Sequence, residues 1–157
     1  MIGNHWFKAI AIADDVSYLD AATDHFEKEL LEAGAECEIK GSLEQAAARL
    51  PGIFQYRYHQ LQEVEAILEY LNIELKKLRS IHFRKYKETY NTDLASTVIE
   101  KYIDGEDDIV AWTKAVNAFA LIRNQFAGIT KSLDIKNFQI GHATKLRVMG
   151  IEDAFLD

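Results

Sequence analysis

PGIFQYRYHQLQEVEAILEYLNIELKKLRSIHFRKYKETY, residues 51–90, decides the fold. Its middle carries Leu61, Val64, Leu68, Leu71, Leu75 and Leu78, spaced three and four residues apart. That spacing is a heptad seam, the mark of a helix packing along its length against another helix. Pro51, the single proline of the chain, suits the first turn of such a helix, where its missing N–H costs nothing. Beyond Leu78 the character changes. Between Lys76 and Lys87 stand six basic residues, Lys76, Lys77, Arg79, Arg84, Lys85 and Lys87, with His82 and no acid. On a helix, Lys76, Lys77, Arg84 and Lys87 share an arc of about 100° opposite the leucines, flanked by Phe83, Tyr86 and Tyr90.

Upstream, residues 5–13 (HWFKAIAIA) suit a short helix or a strand equally. From Asp14 the helical spacing of Val16, Leu19, Phe26 and Leu30 predicts a helix capped by Asp14 or Asp15 and ended by Gly34. Residues 36–41 read as loop or extended chain. Ser42-Leu43-Glu44-Gln45 is a capping box opening a short helix through Arg49. Downstream, Asn91-Thr92-Asp93 predicts a break, then a short helix from Leu94 to Ile103 and a turn at Asp104-Gly105. Glu106, Asp107 and Asp108 start the next helix favourably for its dipole. That helix carries Ile109, Trp112, Val116, Phe119, Ile122, Phe126, Ile129 and Leu133 on one side. A last helix holds Phe138, Ile140, Leu146 and Val148. The fold class is all-α, an elongated protomer with two long antiparallel helices as partners. It reads as one helical domain over residues 1–157, with an acidic extension at 1–35 and a core at 36–150. Helices this long in a chain this size predict self-association.

Composition agrees with a single domain of 157 residues, 48% apolar and 27% charged, with eight glycines. No apolar run approaches the roughly 18 residues of a membrane span. The first residues lack the basic region of a signal peptide. Cys37 is the one cysteine, which excludes an internal disulfide and suits a reducing compartment. Its acidic neighbours Glu36 and Glu38 predict a raised thiol pKa. The net charge of −7 is unevenly spread: residues 1–50 hold four basic and ten acidic groups, and residues 51–90 hold seven and five. A local anion-binding surface on an acidic particle follows.

Enzyme motifs are absent. The residues three before His25, His59, His82 and His142 are Ala22, Tyr56, Arg79 and Gln139, so the Glu-x-x-His pairs of a di-iron bundle are missing. There is no His-Glu-x-x-His, phosphate-binding glycine loop or nucleophile elbow. Asp104–Asp108 has the composition of a Ca²⁺ loop without its ligand spacing. The expectation is a non-enzyme without metal or cofactor. Lys76, Lys77, Arg79, His82, Arg84, Lys85, Tyr86 and Lys87 form the candidate nucleic-acid surface, a basic track beside stackable rings. Lys131, Lys136, His142, Lys145 and Arg147 form a second, weaker basic set. Without a duplex-reading motif, binding would be backbone-driven and sequence-tolerant.

The order of motifs resembles the UvsY family, recombination mediators of tailed phages. The resemblance runs over roughly residues 36–150. It joins the Leu-Pro and Tyr-rich stretch Leu43–Tyr58, the heptad helix ending in the basic-aromatic Arg79–Tyr86, Tyr102-Ile103-Asp104, and Lys136-Asn137-Phe138-Gln139-Ile140. Within the basic segment Ser80 and Ile81 stand where basic residues are common in the family. The charge is shifted to Lys76, Lys77, Arg84, Lys85 and Lys87. The resemblance implies a protein of the phage-infected host cytoplasm that binds single-stranded DNA. It also implies a homo-oligomeric ring, a heptamer being one size, with the subunit number open. The implied partners are a RecA-like recombinase and the phage single-stranded-DNA-binding protein, which the recombinase is helped to displace. The competing expectation from the same heptads is a helical structural or adaptor protein whose basic end meets an acidic protein surface, without DNA affinity.

Overall fold

The computed structural model describes residues 4–89 and 95–150, and no strand occurs among them. Helix α1, His5–Phe7, runs directly into a π-helical turn, Lys8–Ile12. The ambiguous N-terminal stretch is therefore helical. A 3-10 turn, Val16–Tyr18, leads into α2, Leu19–Glu36. Then come α3, Leu43–Thr89, α4, Ser96–Asp104, and α5, Asp107–Val148. Asp15 accepts from Ser17 N at 3.0 Å and caps the 3-10 turn, as its residue type predicts. Ser42 Oγ accepts from Gln45 N at 3.2 Å, the first half of the capping box. The predicted break at Asn91–Asp93 lies outside the described residues.

Two predicted breaks are absent. The short helix after Ser42 and the long one at Pro51 are a single helix of 47 residues, with Pro51 inside it. Pro51 cannot bond the Ala47 carbonyl one turn back, but both residues are exposed, so water reaches the freed oxygen. Likewise α5 continues for 42 residues past Leu133, with no separate last helix. Phe126, Leu133 and Ile140 are buried seven residues apart, so one apolar register carries the helix through. α2 also outruns Gly34, to Glu36.

Three apolar clusters follow one another along the α3–α5 interface. Ala46 and Leu50 of α3 meet Leu133 and Ile140 of α5. Leu61, Val64, Ile67 and Leu71 meet Phe119, Ile122 and Phe126. Leu75 and Leu78 pack on a cluster of Ile99, Ile103 and Ile109. As α3 numbers rise the α5 numbers fall, so the two long helices are antiparallel. At 1.5 Å per residue α3 spans about 70 Å. The heptad seam is thus used within the chain: Leu61, Val64 and Leu71 are buried, and Leu68, Leu75 and Leu78 half-buried. The acidic N-terminal segment is no appendage either. Ile10, Ala22 and Phe26 belong to the central cluster with α3 and α5.

Candidate nucleic-acid interface

The C-terminal end of α3 holds the predicted basic segment, and α4 with the start of α5 packs against one side of it. Hydrophobic contact explains why: Phe83 and Tyr86 join Leu75 and Leu78 against Ile99, Ile103 and Ile109. This packing brings the acidic turn onto the basic helix. Arg79 Nη1 donates to Asp104 Oδ1 at 2.7 Å. His82 Nε2 lies 2.7 Å from Asp108 Oδ2, with the His82 side chain only 12% exposed. The Tyr86 hydroxyl donates to Glu106. One turn upstream, Lys77 pairs with Glu74. A run of cations with no acid inside it is therefore partly neutralised, by Glu74 just before it and by the α4–α5 turn packed against it. The hydrogen bond from His82, helped by the backbone N–H of Ile109, outweighs desolvation and holds the Asp108 carboxyl below the usual range.

Lys76, Arg84, Lys85 and Lys87 remain. All four are exposed and carry no ion pair among the described residues. Lys87 Nζ sits 5.4 Å from the centre of the Phe83 ring, a cation–π placement that leaves the ammonium open to water. Of the eight predicted residues, four are thus free cations, Lys76, Arg84 and Lys87 on one arc of the helix and Lys85 about 100° round from Arg84. Lys77, Arg79, His82 and Tyr86 are held by carboxylates.

The second basic set is not contiguous with the first. The C-terminal half of α5 lies beside the N-terminal half of α3, roughly 45 Å from the α3 basic end. Lys131, His142, Lys145 and Arg147 are exposed there. Lys136 corrects the expectation of a surface lysine: it is 6% exposed, and its ammonium donates to the carbonyls of Glu36 and Glu38 at 2.7 and 2.8 Å. It satisfies orphan acceptors at the C-terminal end of α2. Cys37 lies beside it. Burial first, and Glu36 second, push the thiol up against the opposing pull of Lys136.

Sequence reading missed Arg57. It is 1% exposed, yet charged, and its guanidinium donates to Glu36 through Nε at 2.7 Å and Nη2 at 3.0 Å. Nη1 donates to Glu29 at 2.6 Å and to Gln60 at 2.8 Å. Gln60 and the Tyr56 hydroxyl also donate to Glu29. Burial raises the Glu29 carboxyl, but these hydrogen bonds and the Arg57 charge outweigh it and hold Glu29 below its ordinary value. A signal existed: Arg57 occupies the seam position of Val64, Leu71 and Leu78, where a charge needs buried partners.

His82, Glu106 and Asp108 also place ligand atoms within 4.8 Å of one another, a spacing that could hold a metal ion. Motif scanning overlooks them because His82 comes from α3 and the two acids from the start of α5, more than twenty residues on. Their pairing with each other and with Tyr86 accounts for their proximity, and the carboxylates suit the α5 N-terminus.

A scan against protein-family models finds no match, and comparisons with curated proteins and with solved structures find none either. The likeness to the UvsY family accordingly rests on the ordered motifs alone.

Proposed function

We propose that the chain is a recombination mediator that binds single-stranded DNA and helps load a RecA-like recombinase by displacing the phage single-stranded-DNA-binding protein. The observation that carries the reading is the free cationic end of α3, Lys76, Arg84, Lys85 and Lys87, beside aromatic rings on an acidic protein. Four point charges attract phosphate without reading bases, which suits a sequence-tolerant binder. One protomer offers few contacts. Several protomers in a ring would add theirs along one strand, raising the effective affinity without new chemistry. No described helix is long and apolar enough to cross a membrane.

The test is anisotropy of labelled oligo-dT at several salt concentrations, with duplex as control. Preferential single-strand binding that weakens steeply with salt is the expected result. In the Arg84→Ala, Lys85→Ala variant, affinity is expected to fall roughly ten-fold. Its salt slope should become shallower, by about 0.7 for each phosphate left without a cation. Unchanged affinity would overturn the site assignment. The second reading, an oligomeric adaptor for an acidic protein surface, is favoured by the exposed apolar side chains Leu31 and Phe138. An oligomer with no DNA affinity at low salt would select it.

A further inference from the structure

We propose that Tyr102 of α4 is a base-stacking subsite for the single strand, an inference that rests on the single-strand function proposed for the α3 end. Ile99 and Ile103 turn inward to the core, whereas Tyr102 is 56% exposed. Its ring lies against that of Tyr86, with centroids 6.0 Å apart and planes 20° from parallel. Tyr86 is the anchored partner: it is half-buried, packs on the isoleucine cluster and donates its hydroxyl to Glu106. The offset contact with Tyr86 borders one face of the Tyr102 ring and holds its orientation. An exposed, pre-oriented aromatic face is what a splayed base stacks on.

Charge decides which part of a strand comes here. Asp104, Glu106 and Asp108 border the α4–α5 turn, with Glu106 on the Tyr86 hydroxyl, and disfavour phosphate there. Lys85 and Lys87 flank Tyr86 in sequence and project about 100° to either side of it on the helix. A backbone held by either lysine runs along an edge of the face of α3 that carries Tyr86, with its bases free to reach the tyrosine pair.

The experiment compares two oligonucleotides of equal length and charge, oligo-dT and a strand with abasic sites, on the full chain and its variants. The wild-type protein is expected to favour the base-bearing strand. Tyr102→Ala is expected to lose roughly ten-fold on oligo-dT, the scale of a single base stack. It should bind the abasic strand as before and keep the wild-type salt slope, while Tyr102→Phe should restore the preference. In Tyr102→Trp, fluorescence quenching by oligo-dT and not by the abasic strand reports the same contact without removing the ring. Retention of the base preference in Tyr102→Ala, or an indole that stays unquenched on bound DNA in Tyr102→Trp, would overturn the subsite while leaving single-strand binding intact. Failure of the wild-type protein to bind either strand at low salt would overturn both.

Discussion

Replacing Arg57 by alanine is expected to destabilise the fold by about 3–5 kcal/mol, the scale of breaking a buried ion network from one side. The guanidinium is 1% exposed and satisfies Glu29, Glu36 and Gln60 together. Its removal leaves the Glu29 and Glu36 carboxylates in a half-buried site without their ion-pair partner, the Lys136 ammonium being bound to backbone carbonyls. For a domain of this size each kcal/mol moves the melting temperature by about 2–4 °C, so a drop on the order of ten degrees should appear by circular dichroism. Replacing the network as a whole, Arg57→Met with Glu29→Leu and Glu36→Leu, is expected to recover most of the loss, because no charge is then stranded. A single-variant effect below about 1 kcal/mol would mean that water relieves the site. Acid tests the same network. Glu29 is held below its ordinary pKa when folded, so it binds protons more readily when unfolded. Its contribution is present above the ordinary carboxylate range and is lost as pH falls through the folded value. Wild-type stability should therefore drop below about pH 4 more steeply than that of Glu29→Gln.

Phe26→Ala should cost about 3–5 kcal/mol by a different mechanism, loss of a buried ring and the cavity it leaves. Phe26 is fully buried and meets Phe119 and Phe126 edge-on, at centroid distances of 6.5 and 6.0 Å. These contacts bring α2 onto α5. Urea midpoints check the expectation, with Phe26→Leu retaining much of the stability. If Phe26→Ala unfolded with the wild-type midpoint, α2 would not contribute to the cooperative core.

Apolar periodicity made most of the fold legible: the all-helical class, the antiparallel long pair, Asp15 and Ser42 as caps, and the acidic start of α5. Continuity was hidden where a charge stands at a buried register position. Lys136 does so close to the point where the last helix reads as separate. In α3 it is Pro51, suited to a first turn, that suggests a division. At the candidate interface the cations were legible, but their partners were not. Asp104, Glu106 and Asp108 reach Arg79, His82 and Tyr86 only because Phe83 and Tyr86 pack on the isoleucines of α4 and α5, a contact between distant segments.

The four buried polar residues among those described, Arg57, Gln60, Glu63 and Lys136, share one property: every one bonds to the segment before Lys40. A heptad seam alone is degenerate, since sliding α3 along α5 by seven residues, about 10 Å, puts similar apolar side chains opposite one another. α2 is pinned to α3 by Arg57 and to α5 by Lys136, so it works as a caliper set across both helices. Its two jaws admit one alignment, and any slip would pull a charge off its partner. The acidic segment thereby gives the protomer a defined length, so that the cations of α3 stand at a fixed height above the opposite end.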